Sequence, residues 1–254
     1  MANIKWDSKK YDSNFSFVYE YGQGVIDLLD ITSGMTVVDL GCGNGQLTKR
    51  LSDMGMEVIG VDESEEMISL ARKSYPEIKF IRVDATSFTV DKKVDAIFSN
   101  AVFHWIDNQD DLITNISFQL KEGGQLVCEF GGYGNTELIH AALEREFQRR
   151  GLQYIRNFYF PTIGEYTSLL EAHGLQVRYA TLFDRPTKQV GEDGLANWIR
   201  MFNMLPFEGL DIVEQEHIIQ CVVDELRPVL YQYGTWYADY VRIRIKATKI
   251  EITT

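Results

Sequence analysis

The stretch that decides the fold is VVDLGCGNGQLT at residues 37–48. It begins with an apolar run typical of a short buried strand, continues with three glycines at alternate positions, and ends in a helical pattern. Glycine permits sharp turns and close approach of a ligand to the backbone, because it carries no side chain. A strand-to-helix turn without a ligand would need only one such glycine. The repeated spacing of Gly41, Gly43 and Gly45 therefore favours a ligand-binding loop.

The glycine spacing also bears on the kind of ligand. The dinucleotide fingerprint Gly-x-Gly-x-x-Gly would place its third glycine one residue later than Gly45. The observed Gly-x-Gly-x-Gly thus argues against a nicotinamide-dependent oxidoreductase, which we retain as an alternative hypothesis.

Two carboxylates follow the next predicted strands. Asp62 ends the strand predicted at 57–61 and lies about 20 residues beyond the loop, where an acid can accept hydrogen bonds from both hydroxyls of a ribose. Asp84 follows the strand predicted at 78–83, and its carboxylate could accept a hydrogen bond from an adenine amino group. The alternatives are a helix-preceding acid for Asp62, although Ser64 already suits that capping role, and a simple turn residue for Asp84.

Strands that alternate with helices predict an α/β fold with a mostly parallel sheet. The first half also predicts helices at 64–74 and 110–120 and strands at 94–99 and 125–130. The second half predicts helices at 136–150, 162–173 and 195–230, interrupted near Pro206, and strands at 175–183 and 236–250. We expect one domain over residues 1–254, with segments 136–160 and 188–234 forming a helical cap over the carboxyl edge of the sheet, where open α/β sheets bind ligands.

Five blocks of sequence, in order and at consistent spacing, carry a family resemblance over roughly residues 35–131. They are VVDLGCGNGQLT, VIGVDESEEMISLAR, FIRVDATSF, VDAIFSNAVFHWIDN and LKEGGQLVCEF. The chain resembles the class I S-adenosylmethionine (SAM)-dependent methyltransferases, in particular their trans-aconitate methyltransferase-like branch. The resemblance implies a Rossmann-like sheet of seven mostly parallel strands with an antiparallel last strand, helices on both faces, and SAM as the cofactor.

The resemblance also implies residue roles around the cofactor. Asp39, Gly41 and Gly43 would hold the methionine part of SAM. Asp62 would bind the ribose and Asp84 the adenine.

Further positions would surround the methyl group itself. Asn100 would line the methyl-transfer site, with His104 and Trp105 beside the cofactor, while Trp6 and Tyr11 resemble aromatic residues that close over it. His104 is the candidate general base, although a histidine often only orients a neighbouring group. The alternative for His104 and Trp105 is a pair that merely packs the loop after its strand.

Composition limits the partners. A formal net charge of −12 argues against nucleic acid, because phosphate binding depends on Lys and Arg. No apolar run approaches the length of a membrane span and no apolar signal segment is evident, so the expected compartment is the cytoplasm and no membrane partner is expected. Scattered cysteines and histidines predict no metal site. The sequence leaves the oligomeric state open.

The predicted activity is methyl transfer from SAM to a small molecule, for which the family branch suggests a carboxylic acid. Such an acceptor would need a cation, and the candidates are Arg145, Arg149, Arg156 and Arg200. The alternative for the basic cluster is an ion-paired surface, with Glu146 beside Arg150. A phenol or amine acceptor stays open, as does a SAM-binding regulator without turnover.

Overall fold

The computed structural model describes residue 22 and residues 24–250, within which eight strands form one sheet. The strands are β1 Thr36–Leu40, β2 Glu57–Asp62, β3 Lys79–Arg82, β4 Val94–Asn100, β5 Leu120–Gly131, β6 Leu175–Gln189, β7 Tyr231–Gln232 and β8 Thr235–Lys249. The α-helices are α1 Gln46–Asp53, α2 Glu65–Ser74, α3 Gln109–Gln119, α4 Glu137–Arg149, α5 Ile163–Ala172, α6 Gly194–Phe202 and α7 Ile212–Leu230. Short 3-10 helices cover Phe103–Trp105 and Leu205–Phe207.

The sheet has the order β3-β2-β1-β4-β5-β8-β6, and the two-residue β7 pairs with β8 outside this path. Strands β1 to β5 pair in parallel, whereas β8 runs antiparallel to both β5 and β6. The predicted seven-stranded, mostly parallel sheet with an antiparallel last strand is therefore confirmed. The strand order reverses between β1 and β4, and such a switch point opens a crevice at the carboxyl ends of the strands.

Both faces of the central strands are buried. Neighbouring residues on a strand point to opposite faces, and Val37 and Val38 of β1 belong to two separate apolar clusters. One cluster includes Leu51 of α1, and the other includes Ile113 of α3 and Leu170 of α5. Helices thus cover both faces, which explains why these strands appear in the sequence as continuous apolar runs.

A third apolar cluster lies between α4, α6, α7 and the first half of β8. Strand β8 contributes Trp236, Ala238 and Tyr240 to it, but Ile243 and Ile245 to the cluster under α3 and α5. The buried face of β8 therefore changes at residues 242–243.

The pairing of β6 with β8 extends farther than the sequence indicated. The prediction ended the strand at residue 183, whereas β6 continues to Gln189, which pairs with Trp236. The extension forms because the long partner strand offers backbone hydrogen bonds over its whole length. None of the helices in the described part of the chain is long and apolar enough to cross a membrane.

Candidate functional site

A cleft of about 800 Å³, counting the part open to solvent, lies at the carboxyl ends of β1, β2 and β4. Ligand pockets commonly enclose roughly 300–1,000 Å³. Six residues singled out in the sequence lie in its wall, namely Gly41, Gly43, Asp62, Asp84, Asn100 and Trp105. The ends of parallel strands meet at one edge of a sheet, which is why residues so far apart in sequence come together here.

The glycine loop has a backbone that other residues rarely adopt. Gly41, Gly43 and Gly45 all have positive φ, at 79°, 53° and 84°. The Gly41 N–H donates to the Val61 carbonyl over 2.7 Å, which ties the loop to β2. A Cβ on Gly41 would lie 2.1 Å from Cγ2 of Val102, whereas a Cβ on Gly43 would meet no atom within 4 Å among the described residues other than its chain neighbours. The loop thus packs tightly on one side and leaves open space above Gly43.

The carboxylate of Asp62 is held between the glycine loop and α2. Its Oδ2 accepts from the Gly43 N–H and its Oδ1 from the Ser64 N–H, each over 2.9 Å. Burial raises the pKa of this carboxyl above its ordinary value. The capping role predicted for Ser64 is confirmed, because its Oγ accepts from the Met67 N–H. A carboxylate offers about four lone-pair sites, so Asp62 can accept further hydrogen bonds besides these two.

Asp84 combines a local role with a place in the cleft wall. Its Oδ1 accepts from the Thr86 N–H over 2.7 Å and from the Thr86 hydroxyl over 2.6 Å, as in a side-chain-stabilised turn. Because the residue also lines the cleft, the turn and ligand interpretations are compatible.

Asp39 lies behind the loop instead of among the described residues of the cleft wall. Its side chain is 2% exposed and accepts a hydrogen bond of 2.6 Å from the Thr48 hydroxyl. Burial raises the pKa of Asp39 to about 7. The hydrogen bond from Thr48 lowers this pKa in part, and the negative charge of nearby Asp62 raises it further.

The raised pKa of Asp39 makes stability depend on pH. Folding binds a proton between pH about 4 and about 7, so the stabilisation is complete at the lower pH and is lost as the pH rises through the folded pKa. Between pH about 4 and about 7, we expect the free energy of unfolding of Asp39→Asn to fall by about 2–4 kcal/mol less than that of the wild type. Denaturant unfolding from pH 4.5 to 7.5 measures it. The exposed Asp91→Asn variant should follow the wild-type slope, and an unchanged slope in Asp39→Asn would contradict the assignment.

A second cavity, of about 460 Å³ with its open part, adjoins the cleft and shares Ala101 and Trp105 with it. Ala101 has a φ of 63°, unusual for a residue with a side chain, and its N–H donates to the Glu129 carbonyl over 2.7 Å. Such strained backbone is concentrated at functional sites. The remaining lining residues are His104, Asn135, Phe158, Phe160, Trp198, Phe202, Tyr240 and Arg242.

His104 lies in this second cavity and is not among the described residues of the cleft wall. Its Nδ1 accepts the Gly131 N–H over 3.3 Å, so in the neutral ring the hydrogen is on Nε2. Burial, with a contribution from the charge of Arg242, holds the pKa of His104 well below its ordinary value. The neutral ring is therefore arranged to donate a hydrogen bond from Nε2.

Arg242 on β8 is the one arginine or lysine among the described residues that line either cavity. It is only 7% exposed, and its guanidinium lies 4.9 Å from the centre of the Tyr240 ring. A buried guanidinium is suited to binding a carboxylate through two parallel hydrogen bonds.

The arginines proposed from the sequence lie outside both linings and form ion pairs. The pairs are Arg145 and Arg149 with Glu225, Arg156 with Glu137, and Arg200 with Glu216. Arg150 pairs with Glu146 at 2.8 Å, which confirms the ion-paired interpretation of the basic cluster. The sequence analysis therefore missed Arg242, and it missed Tyr240 and Asn135 as well. Trp6 and Tyr11 lie outside the described residues.

Comparisons with known proteins agree with this geometry. The sequence pattern of a methyltransferase domain matches residues 38–128. An uncharacterized methyltransferase of Schizosaccharomyces pombe is 28% identical over 98% of this chain and 100% of its own. The trans-aconitate 2-methyltransferase of an Azoarcus species is 30% identical over 84% and 85% of the two chains.

A solved structure shares the fold at lower identity. Phosphoethanolamine N-methyltransferase 2 of Haemonchus contortus, in complex with phosphomonomethylethanolamine and S-adenosylhomocysteine, superposes with a TM-score of 0.61 at 16% identity, covering 96% of this chain and 57% of that one. With the sheet order, the glycine loop and the relatives in agreement, the chain belongs to the class I SAM-dependent methyltransferases.

Proposed function

We propose that the protein transfers the methyl group of SAM to a small carboxylic acid bound in the second cavity. The observation that carries this proposal is the placement of one buried guanidinium, Arg242, in an aromatic cavity that shares Ala101 and Trp105 with the cofactor cleft. An acceptor held by Arg242 would lie next to the cofactor.

The cofactor side of the proposal follows from the cleft wall. The open space above Gly43 would receive the methionine part of SAM, with the carboxylate of Asp39 close behind the loop. Asp62 would accept the ribose hydroxyls through its remaining lone pairs, and Asp84 would accept from the adenine amino group. Asn100 and Trp105 would lie nearest the methyl group. A contact from Tyr11 stays a prediction from the sequence.

The chemistry requires positioning above all. SAM supplies an electrophilic methyl group on a positively charged sulfur. An acceptor carboxylate oxygen would form the new C–O bond as the C–S bond breaks, with the bonding electron pair left on sulfur. A carboxylate is already ionised at neutral pH, so this acceptor needs no general base. His104 would then orient the acceptor as a donor from Nε2, and its action as a base stays a prediction for phenols and amines.

The segments at 136–160 and 188–234 would serve as the cap of this site. Helix α4 ends at Arg149, so residues 150–160 would belong to the cap without being helical. They supply Phe158, Phe160, Trp198 and Phe202 to the second cavity. Enclosure by these side chains would exclude water and hold the acceptor in line with the methyl group, an effect that can contribute several kcal/mol to catalysis.

A methylation screen with radiolabelled SAM tests the acceptor class. Carboxylic acids, phenols and amines of matched size should be offered separately, and we expect label to enter the acids alone. Transfer to phenols or amines without transfer to acids would reject the carboxylate proposal, and His104 would become the first candidate base. SAM binding without transfer to any class would favour a regulator that lacks turnover.

A further inference from the structure

We infer that Asn135 binds the acceptor directly: its side-chain amide, together with His104, donates hydrogen bonds to the carboxylate oxygen that is not methylated. This inference rests on the proposed function and names a further substrate-binding residue of the same site. Both side chains line the second cavity. The inference follows from the fixed orientation of the Asn135 amide, from the position of both side chains beside Gly131, and from the neutral character of the two donors.

The hydrogen bond between Asn135 and β8 fixes which end of the Asn135 amide is free to donate. Its Oδ1 accepts the Val241 N–H over 3.0 Å, and only the oxygen end of an amide can accept such a bond. The other end is therefore the nitrogen, Nδ2, which carries two hydrogens. Nδ2 gives one of them to Thr136 Oγ1 over 3.4 Å, which is long for a hydrogen bond. A nitrogen so placed can also donate to an oxygen of a ligand in the cavity.

The segment that carries Asn135 is tied to β8 on both sides of this residue. The Gly132 N–H donates to the Val241 carbonyl over 3.0 Å, and the Thr136 N–H donates to the Asp239 carbonyl over 2.9 Å. Asn135 itself is only 5% exposed. A side chain that is already held in one orientation loses little conformational freedom when it binds a ligand, which favours a role in recognition.

Asn135 and His104 approach the end of β5 at the same residue, Gly131. The Gly131 N–H donates to His104 Nδ1 over 3.3 Å. A Cβ on Gly131 would lie 3.0 Å from Asn135 Nδ2 and 2.5 Å from Cε1 of Phe160. Because glycine has no Cβ, the amide and the ring can both come close to the strand end. The two donors, Asn135 Nδ2 and His104 Nε2, therefore belong to neighbouring parts of one cavity wall.

Neutral donors suit the carboxylate oxygen that does not react. Burial holds the pKa of His104 well below its ordinary value, so its Nε2 carries a hydrogen without a positive charge, and the amide of Asn135 is neutral as well. When the methyl group is transferred, the carboxylate loses its negative charge, and its second oxygen becomes an ester carbonyl that still accepts hydrogen bonds. Donors on this oxygen turn the other oxygen toward the methyl group, which is an effect of orientation.

The experiment measures S-adenosylhomocysteine release by the full chain with SAM and one acid at a time. The acids are trans-aconitate, citrate, 3-phenylpropionate and butyrate, and the acid with the highest kcat/KM is used for the variants. Asn135→Asp keeps an oxygen for the Val241 N–H but replaces the donor by a carboxylate, so its KM at pH 8 should rise roughly 100-fold. Asn135→Ala is neutral and lacks the donor, and its KM should rise roughly tenfold. SAM affinity, measured by calorimetry, should be unchanged in both variants.

The pH dependence of KM provides a readout that a purely structural role would not change. Burial raises the pKa of the carboxyl group introduced by Asn135→Asp, and its protonated form regains an O–H donor. The ratio of its KM to the wild-type KM should therefore fall by roughly fivefold or more from pH 8 to pH 5.5. The ratio for Asn135→Ala should stay constant, because alanine does not titrate. His104 and Asp239, whose pKa burial raises to about 6, are present in every variant, so their titration cancels in both ratios.

Asn197→Asp is the matched control. Asn197 is exposed on α6 of the cap, lies outside the described linings of both cavities, and accepts a hydrogen bond from Arg200, as an aspartate there also could. Its KM should equal that of the wild type at both pH values. An unchanged KM in Asn135→Ala, or equal KM increases in the two Asn135 variants at both pH values, would overturn the inference and leave the proposed function standing. Failure to methylate any of the four acids would overturn both.

Discussion

Replacing Gly41 by alanine should lower SAM affinity by about 100-fold or more, which corresponds to roughly 3 kcal/mol. The added methyl group would lie 2.1 Å from Cγ2 of Val102, and the loop would have to move away from β4 to admit it. A φ of 79° adds a backbone penalty of about 1–2 kcal/mol for any residue with a side chain. Because Gly41 lines the cofactor cleft, we expect the displacement to distort the surface that receives SAM.

Gly34→Ala is the matched control for the Gly41 variant. Gly34 has a similar φ of 86°, but a Cβ there would meet no atom within 4 Å in the described part of the chain, so the variant carries the backbone penalty without the clash. Titration calorimetry should find SAM affinity intact in Gly34→Ala, with both variants folded by circular dichroism. Combining Gly41→Ala with Val102→Ala should recover part of the affinity. Wild-type affinity in Gly41→Ala would contradict the tight packing of the loop.

Arg242→Gln should raise KM for the acid acceptor by roughly 100-fold and leave SAM affinity unchanged, because a buried charge-assisted pair is worth about 2–5 kcal/mol when one partner is removed. The guanidinium belongs to the second cavity and not to the described lining of the cofactor cleft, so the two ligands should respond differently. KM for the acid in Arg242→Lys should lie between the wild-type value and that of Arg242→Gln, because lysine keeps the charge but loses the bidentate hydrogen bonding.

Arg200→Gln controls for loss of a positive charge within the cap. Arg200 pairs with Glu216 on the surface, and its removal should change neither KM nor SAM affinity. Steady-state kinetics at saturating SAM, together with calorimetry, separate the two ligands. A KM for the acid that is the same in Arg242→Gln and Arg200→Gln would exclude Arg242 as the carboxylate-binding residue.

The cofactor cleft could be predicted because its residues follow local rules. Asp62, Asp84 and Asn100 each stand at or just beyond the end of a parallel strand, and such ends necessarily meet at one edge of the sheet. The glycines of the loop can be recognised from their spacing in the sequence. Each of these signals lies within a few residues of sequence, and the topology rule joins them.

Arg242 could not be found in the same way. It alternates with apolar residues beside Arg244 and Lys246, a pattern that indicates a solvent-facing side of a strand. In the fold, the helices α4, α6 and α7 cover that side over the first half of β8, and the burial pattern changes face beside Arg242. This covering depends on contacts between segments about 100 residues apart, such as the hydrogen bond of the Val241 N–H to Asn135. The alternation of apolar and charged residues along one strand carries no information about this covering by distant helices.

The change of buried face in β8 also affects how the protein can unfold. Trp236 and Tyr240 anchor one apolar cluster and Ile243 and Ile245 another, so a single hydrogen-bonded strand is shared by both. Opening the helical part alone would remove the apolar neighbours of the first half of β8, although its backbone would stay paired with β6 and the second half with both β5 and β6. We therefore expect opening of the helical part to be coupled to the sheet, with the β8 amide hydrogens exchanging with solvent mainly through global unfolding.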